Sequence, residues 1–120
     1  MGTCTRMSMR VRRKTAFGNT HGNGGHHMRE SVVERKLTTE AKKRGGLAVK
    51  FVSPGLNGVP DRLVLFPGGR LAFVELKAPG QKPRPLQIRR MNQLTALGFR
   101  VYCVDNTEMI GGILDEIRTT

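Results

Sequence analysis

The stretch GVPDRLVLFPGGRLAFVELKAPG, from Gly58 to Gly80, constrains the fold more than any other part of this chain. Two apolar runs, 61–66 and 70–77, flank Pro67-Gly68-Gly69, the composition of a tight turn between antiparallel strands. A three-residue loop pairs Leu65 with Leu71 and Leu63 with Phe73, and so sets Asp61 opposite Glu75. Lys77 follows Glu75 on the same face, because side chains alternate with period two. A two- or four-residue loop would send Asp61 and Glu75 to opposite faces. In the odd register their Cβ atoms would lie roughly 4.5–5.5 Å apart. Carboxylates that close repel unless a cation lies between them, and a hard divalent ion such as Mg²⁺, with oxygen ligands at about 2.0–2.1 Å, suits the pair.

The flanking segments predict the rest of the fold. ESVVERKLTTEAKKR places Val33, Leu37 and Ala41 on one face of a helix, with Gly45-Gly46 ending it. LAVKFV, 47–52, reads as a strand and SPGLNGVP as a loop, in which Gly58 serves the geometry that delivers Pro60-Asp61. Pro85 suits the first position of a helix running through Leu97, and FRVYCV, 99–104, is a fourth strand. Asp105 and Glu108 stand at capping-box spacing before a last helix, which Gly111-Gly112 weakens. The order α-β-β-β-α-β-α predicts an α/β fold, a small mixed sheet flanked by helices. Its core of about 90 residues is thin, which favours dimerisation.

Glu34 borders the buried face of the first helix, where a carboxylate needs a partner; it could reach the acids of the hairpin, with Glu30 one turn earlier as the fallback. Gln87 faces inward from the first turn of the second helix and could hold Lys77 or a phosphate oxygen. Plainer readings exist: Asp61 as a turn cap, Glu75 and Lys77 as a solvated edge-strand pair, Gln87 as a surface amide.

Charge narrows the partner. The chain of 120 residues carries a formal +12, which points to a polyanion such as nucleic acid. Half of it sits in residues 1–29, which hold six Arg and Lys and no acid; the remaining fifteen bases against nine acids leave the body at +6. With five Phe, one Tyr and no Trp, a base-stacking surface is disfavoured. Cys4 and Cys103 fit no metal-ligand spacing and favour a reducing compartment, the cytoplasm; nothing has the length of a membrane span. Residues 1–28 read as a disordered basic tail, either a solvated arm that adds DNA affinity or a segment upstream of a true start at Met28. His21, His26 and His27 in it read as solvated rather than as metal ligands.

Asp61 followed by Glu75-Leu76-Lys77 after a helical glutamate resembles the core of PD-(D/E)xK nucleases, whose fold is restriction-endonuclease-like. The longer text GLAVKFVSPGLNGVPDRLVLFPGGRLAFVELKAPGQKPRPLQ resembles the VRR-NUC (virus-type replication-repair nuclease) family, in its stand-alone phage and bacterial form. The resemblance covers about residues 30–110 and makes 29–120 the nuclease domain; the basic N-terminal extension is what departs from it. It implies DNA cleavage dependent on Mg²⁺ or Mn²⁺, a homodimer, a preference for branched DNA such as Holliday junctions, and, for a phage protein, the bacterial host cytoplasm. By position it assigns catalytic roles to Glu34, Asp61, Glu75, Lys77 and Gln87. Asp61 and Glu75 would bind metal, with Glu34 and the Leu76 carbonyl completing its surroundings. Lys50, Arg62, Lys82, Arg84, Arg89 and Arg90 are the candidate phosphate contacts. Two other classes compete: a non-catalytic nucleic-acid-binding module on a nuclease-like fold, and a small basic coat protein. The first need not retain the acids, and the second gains nothing from acids beside a phosphate channel, because they repel the ligand.

Overall fold

The computed structural model describes residues 29–119. The expectations for the basic tail and its histidines lie outside them. Helix α1 (Glu30–Lys43) leads into strands β1 (Leu47–Lys50), β2 (Arg62–Phe66) and β3 (Arg70–Leu76). Helix α2 (Pro85–Ala96), strand β4 (Arg100–Val104), a 3-10 turn (Thr107–Met109) and helix α3 (Ile110–Thr119) follow.

The four strands form one sheet in the order β1-β2-β3-β4. The first three are antiparallel, and β4 joins β3 in parallel after the crossover through α2. The hairpin has the odd register: Leu63 pairs with Phe73 and Leu65 with Leu71. Gly68 and Gly69 make its turn with φ of 88° and 77°, a region open to residues without a Cβ.

Side-chain alternation divides the sheet between two apolar layers. Val64, Phe66, Ala72, Val74, Leu76, Tyr102 and Val104 pack against Val33, Leu37 and Ala41 of α1 and against Ile110, Ile113, Leu114 and Ile117 of α3. The opposite face carries Phe73, Val101 and Cys103 beneath Met91 of α2, with Leu63, Leu71 and Leu94 beside them. Each fully buried aliphatic side chain contributes about 1.5–3 kcal/mol. The four buried residues of α3 therefore outweigh the helix-propensity cost of Gly111 and Gly112, about 1 kcal/mol each.

Several element ends differ from the sequence reading by one or two residues. β1 stops at Lys50; Phe51 still donates its N–H to the Asp61 carbonyl at 2.9 Å before the chain turns into the loop. β4 starts at Arg100, because the Phe99 N–H is taken by the carbonyl of Leu94 at the end of α2. The cap in front of the last helix is Asn106. Asn106 accepts the Glu108 N–H at 2.8 Å and opens the 3-10 turn, while Asp105 is buried.

Candidate active site

β3 is an interior strand, so Glu75 and Lys77 are not an edge-strand pair. Only 3% of Glu75 is exposed. Its Oε2 accepts the Gln87 Nε2–H at 2.8 Å and lies 3.4 Å from Lys77 Nζ. The oxygen of Gln87 in turn accepts the Arg84 N–H at 2.8 Å, the reciprocal bond of a helix capping box. Pro85 at the start of α2 fixes this turn over the end of β3. Gln87 thus holds Glu75, not Lys77, and is not a free surface amide.

Asp61 sits one residue before β2, and its Oδ1 accepts the Leu76 N–H at 3.0 Å. It is a cross-strand acceptor rather than a turn cap. Asp61, Leu76, Glu75 and Lys77 therefore come together at one end of the hairpin. Burial pushes the Asp61 carboxyl above its usual range, against the pull of the Leu76 N–H. The Glu75 carboxyl rises further, to about 7, through burial and then the Asp61 charge; Lys77 opposes this without cancelling it. Burial is thus the first cause at both acids, with the Asp61 charge adding to it at Glu75.

Glu30, Glu34, Lys50, Asp61, Arg62 and Leu76 line a hollow at this end of the sheet. Glu34 is one-third exposed there and forms an ion pair with Arg62. Arg62, a candidate phosphate contact, is buried, and its Nη1 also donates to the Ala48 carbonyl at 3.3 Å. The signal was present: Arg62 shares its parity with Val64 and Phe66, the inward residues of β2. Arg90 likewise is engaged, its Nε donating to the Asn57 carbonyl at 2.7 Å and so bracing the loop before Asp61. Lys50, Lys82, Arg84 and Arg89 are exposed.

Among the described residues, no three carboxylate, imidazole or thiol groups already converge as a set that could hold a metal ion. The donor chemistry nonetheless fits a hard divalent cation. Asp61 and Glu75 are neighbouring, largely buried carboxylates, and Mg²⁺ is commonly held by one or two carboxylates together with substrate phosphates.

No family model matches the chain. The chain is 51% identical over 82 residues to "Putative nuclease p44" of Acyrthosiphon pisum secondary endosymbiont phage 1, covering 68% of this chain and 88% of that protein. It also superposes on a solved structure described as a VRR_NUC domain, with a TM-score of 0.66 and 30% identity over 72% of this chain and 94% of the other. The chain spans 88% of the phage relative and 94% of the solved structure. The chain belongs to the VRR-NUC family.

Proposed function

We propose that this protein is a divalent-metal-dependent DNA nuclease that hydrolyses phosphodiester bonds. The observation that carries the reading is the buried Asp61–Glu75 pair with Lys77 on its rim and Gln87 behind it. The phage relative, named as a nuclease, and the VRR_NUC structure support the same reading.

Asp61 and Glu75 are the residues that would hold Mg²⁺ or Mn²⁺, with the Leu76 carbonyl beside them and a carboxylate of α1 facing the same hollow. A bound divalent cation supplies Lewis-acid polarisation of the phosphoryl group and a more acidic water. The protein's own residues do the rest. Gln87 orients Glu75. The Lys77 ammonium, 3.4 Å from Glu75, is placed to donate to charge that develops on the phosphoryl oxygens or the incoming water. Lys50, Lys82, Arg84 and Arg89 bring phosphates to the site without reading sequence.

The substrate we propose is branched DNA, with Holliday junctions as its type, cut by a homodimer in the cytoplasm of a bacterial host. Leu47 and Val49 support the dimer: they lie on the sheet face of Leu63 and Leu65, beyond the cover of α2, and are 51% and 37% exposed. A four-way junction needs two nicks, one from each site.

Cleavage of a labelled four-way junction and a matched linear duplex, with Mg²⁺, Mn²⁺ or EDTA, tests the reading. Asp61→Ala and Lys77→Ala are expected to bind DNA but lose cleavage, by about 10²–10³-fold for the lysine. Equal cutting of both DNAs removes the branched-DNA preference and keeps the nuclease. Tight binding without metal-dependent cutting on junction, flap and single-strand substrates would establish the non-catalytic module instead.

A further inference from the structure

Residues 51–60 carry no charge, in a chain of which 25% is charged. This neutral loop joins β1 to Asp61 and so stands beside the active site. We propose that its tip, Val52 to Leu56, is an apolar wedge that enters the base stack where DNA branches, and so selects branched over linear DNA. The proposal rests on the DNA reading above and gives its branch preference a basis in named residues.

The tip is apolar, exposed and braced. Val52 is 78% exposed and Leu56 38%, and Pro54 between them is exposed as well. Val52 lines the same hollow as Lys50 and Asp61. The Leu56 N–H closes a turn on the Ser53 carbonyl at 3.3 Å, and the Phe51 N–H ties the two ends of the loop together through the Asp61 carbonyl at 2.9 Å. From α2, Arg90 holds the Asn57 carbonyl at 2.7 Å, and Leu86 abuts Gly58. Chain neighbours aside, no described atom lies within 4 Å of where a Gly55 Cβ would stand, so the tip projects into open space.

The chemistry of the tip selects its occupant. A loop that met only phosphates would carry bases, as the exposed Lys82, Arg84 and Arg89 do elsewhere. Leucine and proline are side chains that proteins drive between base steps, which unstacks them and kinks the duplex. With no Trp and one Tyr in the chain, an aliphatic tip acts by displacing a base rather than by stacking on it. Lys50, at the foot of the loop, supplies charge for the flanking phosphates. In a continuous duplex the insertion costs a stacked step. At a branch the strands already part, and the step between arms opens more readily. The same loop therefore favours the branch without reading sequence.

The test uses the full chain in Ca²⁺ with 2-aminopurine placed at the branch of a four-way junction, or mid-duplex in a matched linear DNA. The parent is expected to raise the emission of the branch label about threefold or more and to leave the linear label nearly unchanged. Val52→Ser with Leu56→Ser is expected to abolish the rise and to lower the junction-over-linear affinity ratio about tenfold, with linear binding and the melting temperature kept. Val52→Ser alone, at the more exposed position, is the second variant should the double one not fold, and is expected to reduce the rise. A parent that binds the junction with no rise, a rise equal in the linear duplex, or a rise that survives the substitutions overturns the wedge and leaves the nuclease standing. A dimer that becomes a monomer in light scattering when Val52 and Leu56 are changed makes the loop a contact between copies and also overturns it. A parent that binds neither DNA overturns the wedge and the DNA reading together. The expected emission pattern without cleavage in Mg²⁺ supports the wedge and overturns only the nuclease.

Discussion

The side-chain amide of Gln87 holds the carboxylate of Glu75, donating from Nε2 to Oε2 across 2.8 Å, with its own oxygen occupied by the Arg84 N–H. One side chain therefore both starts α2 and orients an acid on the neighbouring strand. Gln87→Ala removes both bonds. It should lower stability by about 1–2 kcal/mol in urea unfolding and reduce cleavage, while DNA affinity in Ca²⁺ stays close to that of the parent.

Glu75 makes the stability of the metal-free protein fall with rising pH. Its carboxyl, ordinarily at 4.5, is pushed up to about 7, mainly by burial. The folded chain thus holds this proton more tightly than the unfolded chain does. The resulting stability is full below pH 4.5 and is lost as the pH rises through 7. Asp61 shifts in the same direction. Glu40 is lowered to about 2 by Arg44 and titrates in a separate window, below its ordinary 4.5, where stability is lost as the pH falls. Melting in EDTA should therefore move to lower temperature between pH 5.5 and pH 8. Glu75→Gln should flatten this dependence, and Mg²⁺ should restore stability at pH 8 in the parent alone.

The exposed bases should carry the salt dependence of DNA binding, and the engaged ones should not. Each phosphate neutralised contributes about 0.9 log unit of affinity per log unit of salt. Lys82→Ala, Arg84→Ala or Arg89→Ala should each lower the slope by up to about 1, read by fluorescence anisotropy across a NaCl series. Arg90→Ala should leave the slope unchanged and cost about 1 kcal/mol of stability through the lost bond to Asn57.

Gly58 has φ of +85°, and an added Cβ would lie 2.8 Å from Leu86 Cγ. Gly58→Ala should cost about 1–2 kcal/mol from the left-handed backbone alone, and more from the clash. It should also reduce cleavage, because the loop it distorts delivers Asp61. Gly55, with open space around it and no left-handed φ, is the control; its change to Ala should stay within about 0.5 kcal/mol. Urea midpoints and turnover on a junction substrate measure both.

Much of this arrangement was legible in the chain. For a three-residue Pro-Gly-Gly loop, 61–66 and 70–77 pair with Asp61 opposite Glu75; the structure has that register, and a slip of one residue would turn the apolar set away from the core. The Val33, Leu37, Ala41 stripe named the buried face of α1, since helical period depends only on local geometry. Asn106, one residue on from the expected Asp105, is the cap that accepts the Glu108 N–H; the two residue types have nearly equal capping chemistry, so local sequence does not rank them.

By itself, then, the sequence determined the elements and their faces, and the strand register given a three-residue turn, all of which follow from short-range periodicity and turn chemistry. The tertiary structure alone decided the pairings between distant charges. It drew Arg62 inward to Glu34, turned Gln87 onto Glu75, and set Arg90 on the loop carbonyl of Asn57. Arginine and glutamate have the same identity whether solvated or paired. Which state they take depends on how α1 and α2 sit over the sheet, and that is settled by the packing of apolar side chains many residues away.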